Sequence, residues 1–281
     1  MKTRLIATVL LALLSPASLG QAATAPKAPV LAASDFRTAD PQNLLVVDTE
    51  QGRFIVEMYP EIAPQSVARV KALARAKFYD GLTFHRVIDG FMAQGGDPKG
   101  DGSGGSNMGS LPAEFAFRRG PDMAYMPAVV APGQEDGFFK AMPLRTQSND
   151  LMLMMADGKV PAWALWCSGV AGMARTGSDP NSASSQIFFM RAFQDQLEHN
   201  YTAWGRVLTG EDVVKALNVG EPPARLEHFK SVRVMADLPP AEQTRVQVLD
   251  PSSPGFKALL AYDKSQVGAS FTVCDMDLPT R

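Results

Sequence analysis

The first regular pattern along the chain is a pair of short β-prone runs on either side of a turn. Residues 44–49 and 53–58 are rich in apolar, mostly branched side chains, and the Glu50-Gln51-Gly52 segment between them predicts a β-hairpin. Beyond two prolines, apolar side chains recur every three or four positions with basic residues between them, which predicts a helix over residues 64–76. The folded region therefore opens with a hairpin and an amphipathic helix.

The remaining pattern is mainly that of β-strands. Apolar or small β-prone residues dominate three more segments, and a short helix is predicted where acidic residues open an apolar run, because a helix N-terminus favours negative charge. The strand-like segments are 84–94, 170–190 around a polar centre, and 203–208; the helix covers about 211–217, and 232–234 is a candidate closing strand. The glycine-dense segment 95–110 is predicted to be a turning loop, since no Walker lysine–serine pair follows it.

The first 22 residues have the pattern of a secretory signal peptide. Lys2 and Arg4 precede an apolar stretch over residues 5–14, and small residues follow a Ser-Pro break. This stretch is too short to span a bilayer as a helix, and the alternative is a buried N-terminal helix. No other long apolar segment is present, so the sequence predicts an exported protein without a membrane span. Residues 23–42, rich in Ala, Pro and Ser, are predicted to be a flexible lead-in.

Two further segments interrupt or follow the β-rich region. Residues 120–166 carry many prolines and methionines and are predicted to be an insertion, with a turn between two strands at 157–159. Residues 237–281 contain proline-rich breaks and are predicted to be a C-terminal extension packed on the surface. The roles of both segments stay open. Export makes a disulfide possible, but the wide spacing of Cys167 and Cys274 does not show that they meet.

Composition and charge exclude several classes of function. With 46% hydrophobic and 20% charged residues, the chain has the composition of a globular protein with a substantial core. A net charge of −2 gives no basic excess for binding nucleic acid. The sequence has no Cys-x-x-Cys pair and no Cys/His cluster, so no metal site of this kind is predicted. The lack of a Gly-x-Ser-x-Gly elbow argues against a hydrolase.

The candidate chemistry lies in one short run, Phe84–Asp97. Arg86 carries a permanent charge and a rigid fork of donors, and Gln94 can both donate and accept hydrogen bonds. Phe91 and Met92 supply an apolar wall beside them. A groove with these groups suits an extended peptide, with polar donors directed at one of its amide bonds.

This run resembles the signature of the cyclophilins, and the similarity extends from about Asn43 to about Ala236 apart from the insertion. Residues 172–177 followed by 182–189 form a second matching block, similar to the bacterial form of the family, and 197–207 form a third. Together with the signal-peptide pattern, the similarity to the bacterial form implies a periplasmic protein. The resemblance implies a mainly β fold for residues 43–236, namely a closed eight-stranded antiparallel barrel capped by two helices. It also implies peptidyl-prolyl cis–trans isomerase activity without a cofactor, in a monomer that binds proline-containing polypeptides.

The resemblance also assigns roles to individual residues. Arg86 is the implied catalytic donor to the imide nitrogen, and Gln94 is implied to hold a substrate carbonyl. His85 is the other family residue in that strand, and a structural role suits it better than proton chemistry, because the reaction transfers no obligatory proton. The other implied substrate-binding residues are Phe91, Met92, Phe188 and Leu197 around the proline ring, the backbone of Ala174, Arg175 and Thr176 along the peptide, and Tyr201.

Two positions depart from the pattern that many cyclophilins share. Gln196 stands where many carry a groove tryptophan, and Tyr201 stands where many carry a pocket histidine, although an aromatic wall survives there. The leading hypothesis is an isomerase that accelerates X-Pro rotation in unfolded exported proteins. Gln196 and the insertion leave a second hypothesis open, a peptide-binding chaperone module on the same barrel with little or no catalysis.

Overall fold

The structure is a computed structural model that describes residues 27–281, so the predicted signal peptide over residues 1–22 lies outside the described range. Within that range the α-helices are Pro64–Arg75 (α1), Glu211–Ala216 (α2) and Pro254–Val267 (α3). The strands are Phe36–Thr38 (β1), Leu44–Asp48 (β2), Arg53–Met58 (β3), Arg86–Ile88 (β4), Met92–Gly95 (β5), Phe117–Arg119 (β6), Tyr125–Ala131 (β7), Gln134–Phe139 (β8), Met142–Thr146 (β9), Val160–Ala164 (β10), Val170–Met173 (β11), Ile187–Met190 (β12), Ala203–Thr209 (β13), Ser231–Val234 (β14) and Gln247–Leu249 (β15). None of these helices is long and apolar enough to cross a membrane.

Eight of the strands form one antiparallel sheet that contains the predicted hairpin. The strand order is β14-β2-β3-β13-β11-β12-β5-β4. The hairpin of β2 and β3, helix α1 and helix α2 are confirmed, with ends that differ only slightly from the predicted bounds. Val67 and Val70 of α1 are buried in the same core as Phe54 and Val56 of β3. The apolar stripe of α1 and the apolar face of the hairpin therefore stabilise one another.

The predicted closed barrel is wrong, because the sheet curls without closing. Its edge strands β4 and β14 are not joined by a continuous ladder; isolated bridges such as Val87–Gly220 link this side of the sheet instead. Strand β4 has only three residues, and the segment that leads into β14 contains Pro222 and Pro223, which have no N–H to donate to a ladder. The fold is therefore mainly β with an open, curled sheet, and its gap lies beside the strand that carries Arg86.

The insertion forms a second, five-stranded antiparallel sheet. Its strand order is β6-β10-β9-β8-β7, so it covers residues 117–164, close to the predicted 120–166. The prediction of a strand before the turn at 157–159 is wrong, because Asn149–Met154 forms a 3-10 helix there. Leu153 and Met154 are 93% and 78% exposed, so these apolar residues do not belong to a core strand.

Both ends of the described chain are tied to the rest of the fold. Strand β1 pairs with β15, and Arg37 of β1 donates two hydrogen bonds to the Glu57 carboxylate of β3, at 2.7 and 2.6 Å. The lead-in that we expected to be flexible thus contains a paired strand. Met276 of the extension is buried in one core with residues of the insertion. Cys167 and Cys274, whose pairing the sequence left open, form a disulfide.

Candidate active site

The signature run folds into a tight hairpin that places Arg86 and Gln94 side by side. Strand β4 pairs with β5 so that these two residues lie directly opposite one another. Gly90, in the turn between the strands, has a φ of 63°, a conformation that glycine adopts without strain. Because directly opposite residues of an antiparallel pair share one face, the two side chains project together. Arg86 Nη1 donates to Gln94 Oε1 at 3.4 Å.

A second amide orients Gln94. Gln94 Nε2 donates to Gln186 Oε1 at 2.8 Å, and Gln186 Nε2 donates to the carbonyl oxygens of Gly102 and Gly104. These bonds determine which end of the Gln94 amide faces Arg86. An amide nitrogen carries two hydrogens, and within the described residues Gln94 Nε2 donates only the bond to Gln186. Its second N–H is therefore available to a ligand.

Arg86 and Gln94 form the polar wall of a cavity of about 110 Å³. Phe188 lies on β12 opposite Gln94, and Leu197 ends the short 3-10 helix Asp195–Leu197. The structure brings together nine of the predicted residues around this cavity, namely Arg86, Phe91, Met92, Gln94, Ala174, Arg175, Phe188, Leu197 and Tyr201. A recess of this composition suits a small apolar ring with an amide bond at its edge.

Two predicted residues line neighbouring cavities instead. Thr176 lines a cavity of about 310 Å³ that shares Gln94 with the first. His85 lines another of about 350 Å³ that shares Arg86. The His85 side chain is buried, and this burial lowers its pKa, so the ring is neutral at neutral pH. Neither ring nitrogen has a hydrogen-bond partner within residues 27–281, so the structural role expected for His85 stays a prediction.

The backbone that we expected to pair with a peptide is only partly free. The N–H of Ala174 donates to the Gln186 carbonyl oxygen at 2.9 Å, and the N–H of Thr176 donates to Ser182 Oγ at 2.9 Å. Of the three predicted residues, Arg175 alone has an N–H without an acceptor in residues 27–281. Among the backbone N–H groups of this segment, that of Arg175 is therefore the one left to donate to a peptide, and the expected pairing of the segment with a peptide stays a prediction.

Sequence reasoning missed two residues at this site. Glu221 accepts a hydrogen bond from Arg86 Nε at 2.6 Å, although it lies outside the three blocks that resemble the family. Trp166, just beyond the last strand of the insertion, stacks on Phe188 with ring centroids 5.4 Å apart and an interplanar angle of 24°. Both contacts join segments that are distant in sequence, so no local pattern signals them.

Trp166 reaches Phe188 because residue 172 is a glycine. A Cβ atom at Gly172 would lie 2.4 Å from Phe188 Cζ and 2.7 Å from two ring atoms of Trp166. Trp166 also meets the Tyr201 ring edge-on, with centroids 6.5 Å apart. The indole is buried and supports two aromatic walls of the cavity without lining it.

We expect Gly172→Ala to lower the free energy of unfolding by about 1–3 kcal/mol, because the added methyl group overpacks the stack. We also expect weaker binding of a proline-containing peptide, since the Phe188 ring must move. Unfolding in urea and peptide titration measure the two effects. Gly177→Ala is the matched control, because a Cβ atom there meets nothing within 4 Å. Equal effects of the two substitutions would contradict this prediction.

Comparison with known proteins agrees with this geometry. Residues 44–236 match the family described as cyclophilin type peptidyl-prolyl cis-trans isomerase/CLD. A probable peptidyl-prolyl cis-trans isomerase of Brucella suis is 33% identical over 193 residues, which are 65% of this chain and 74% of that protein. The peptidyl-prolyl cis-trans isomerase-like 1 protein of Rhizopus delemar is 29% identical over 194 residues, 69% of this chain and 91% of the relative.

Among solved structures, the cyclophilin AquaCyp293 from Hirschia baltica superposes with a TM-score of 0.81 at 35% identity. The match covers 88% of this chain and 92% of that one, so it extends beyond the part that the family description matches. The chain therefore belongs to the cyclophilin family of peptidyl-prolyl cis–trans isomerases, which is a class of isomerase enzymes.

Proposed function

We propose that this protein accelerates rotation about X-Pro bonds in unfolded exported polypeptides, with Arg86 as the catalytic residue. The observation that carries the proposal is the shared cavity, where a guanidinium and an amide face aromatic and aliphatic side chains. A proline ring fits the apolar side of this cavity. Its imide bond then lies against Arg86 and Gln94.

The chemistry follows from the electronic structure of the imide bond. Rotation is slow because the nitrogen lone pair is delocalised into the carbonyl group, which gives a barrier of about 18–20 kcal/mol. In the twisted transition state the lone pair returns to the nitrogen. An N–H of Arg86 donates to that lone pair, an interaction that the planar ground state offers only weakly. The free N–H of Gln94 holds a substrate carbonyl, and no covalent bond to the protein forms.

The required acceleration is within reach of these groups. An unaided X-Pro bond isomerises in about tens to hundreds of seconds, so about a thousand turnovers per second requires about five decades, or about 7 kcal/mol. Removal of one preorganised donor from an active site typically costs about 10²–10³ in rate. Arg86 therefore supplies a large part of the acceleration, and the rest comes from seating the ring and holding the carbonyl.

Exchange between the cis and trans forms of a short X-Pro peptide, followed by NMR, tests the enzymatic proposal. We expect catalytic amounts of the chain from residue 23 onward to accelerate this exchange. Binding of the peptide without acceleration would instead support the alternative, a chaperone module that keeps the groove and lacks catalysis. The assay therefore decides between the two hypotheses directly.

Export to the periplasm is the second part of the proposal. The Cys167–Cys274 disulfide supports it, because such bonds persist in oxidising compartments and are rare in the cytosol. The signal-peptide pattern over residues 1–22 supports it as well. We expect the full chain, expressed in a Gram-negative bacterium, to appear in the periplasm, cleaved near Ala22 and without free thiols. Recovery of the uncleaved chain from the cytosol would contradict the proposal.

A further inference from the structure

Glu221 binds the guanidinium of Arg86 but does not line the cavity of about 110 Å³ that contains Arg86 and Gln94. Its carboxylate accepts the hydrogen bond from Arg86 Nε at 2.6 Å. Gln94 Oε1 accepts the weaker bond from Nη1 at 3.4 Å, and the Phe91 ring centroid lies 5.8 Å from Arg86 Cζ. Three groups thus contact the guanidinium, and Glu221 makes the shorter of the two polar contacts.

The fold brings Glu221 to this position through the gap in the curled sheet. Val87 and Gly220 exchange two backbone hydrogen bonds, at 2.9 and 2.8 Å, which places their neighbours Arg86 and Glu221 next to each other. The turn of this loop requires a glycine at position 220, because a Cβ atom there would lie 2.4 Å from Pro223 Cα. The loop that carries Glu221 thus contacts strand β4 at the open edge of the sheet.

We propose that Glu221 is a positioning residue for Arg86, an inference that rests on the proposed function. By holding Nε, the carboxylate leaves the two terminal Nη groups to face the cavity and the imide nitrogen. An arginine side chain has many rotamers, and the side chain of Arg86 is 38% exposed, so an anchor reduces the number of conformations that compete with the catalytic one. Because Glu221 is 53% exposed, water screens its negative charge, and the carboxylate weakens the positive field of Arg86 only slightly. The gain in the orientation of Arg86 therefore matters more than the weakening of its field.

Kinetic measurement of Glu221→Ala and Glu221→Gln tests the inference. We expect Glu221→Ala to lower kcat about five- to tenfold with KM within about twofold, because the loss falls on the transition state. Glu221→Gln should restore kcat to within about twofold of the wild type, since an amide oxygen still accepts from Nε. Glu61→Ala is the matched control: Glu61 also pairs with a cation, Lys140, at 2.7 Å, but outside the cavity.

A double-mutant cycle separates positioning from a general structural effect. In an Arg86→Ala background, Glu221→Ala should cause no further loss of the residual activity, because the residue it positions is gone. The same loss in both backgrounds would overturn the inference, as would wild-type kcat in Glu221→Ala. If Arg86→Ala is as active as the wild type, the proposed function fails. If Arg86→Ala loses activity and Glu221→Ala does not, only the role of Glu221 fails.

Discussion

Replacing Arg86 by alanine should lower kcat/KM for X-Pro isomerisation by about two to three orders of magnitude, with peptide affinity changed by less than about threefold. The reason is that the guanidinium interacts with the imide nitrogen only when the bond is twisted, whereas the apolar walls bind the ring in both states. Phe91, Phe188 and Leu197 remain in the variant and continue to bind the ring. NMR exchange rates and peptide titration measure the two quantities separately.

Two further variants sharpen this experiment. Arg86→Lys keeps the charge but loses the rigid fork, so we expect an activity between those of the wild type and the alanine variant. Arg118→Ala is a closely matched control. Like Arg86, Arg118 is partly exposed and pairs with a carboxylate at 2.6 Å, in its case Asp157, but it lies outside the cavity. Arg86→Ala activity within about threefold of Arg118→Ala would end the assignment of Arg86 as the catalytic residue.

The local half of the site could be predicted from the sequence because one contiguous run encodes it. Within Phe84–Asp97, glycine at position 90 allows the tight turn, and the pairing of β4 with β5 then sets Arg86 opposite Gln94. The same holds for the β2–β3 hairpin and for α1, where the spacing of apolar residues alone determines which face is buried. Resemblance to a known family added Phe188 and Leu197, which no local pattern connects to Arg86.

The other half of the site depends on which distant segments meet. Glu221 is 135 positions from Arg86, and the backbone hydrogen bonds between Val87 and Gly220 at the open sheet edge bring it into contact with Arg86. The expectation of a closed barrel followed the family pattern and took no account of Pro222 and Pro223, which cannot extend a ladder. The contact of Trp166 could not be predicted either. Its apolar side chain indicates burial, but only the packed structure shows that it stacks on Phe188.

The disulfide has the largest effect on stability that we expect in this protein. It closes a loop with a sequence separation of 107 residues, and this loop contains Phe188 and Leu197 of the cavity. In the chain-entropy model, linking a loop of about 100 residues stabilises the folded state by about 4.7 kcal/mol, and loss of a native disulfide typically costs about 2–5 kcal/mol. We therefore expect the double variant Cys167→Ala, Cys274→Ala to lose about 2–5 kcal/mol of unfolding free energy in urea.

The same loss should follow from reduction of the wild-type protein, and reductant should not change the unfolding of the double variant. Alanine is the suitable replacement because Cys167 is buried, where a serine hydroxyl would need a partner. Met276 and Leu278 are buried in the same core as residues of the insertion, so we expect the extension to remain docked at low urea when the covalent bond is removed. A loss below about 1 kcal/mol would contradict the prediction and would mean that residual structure already restricts the unfolded chain without the disulfide.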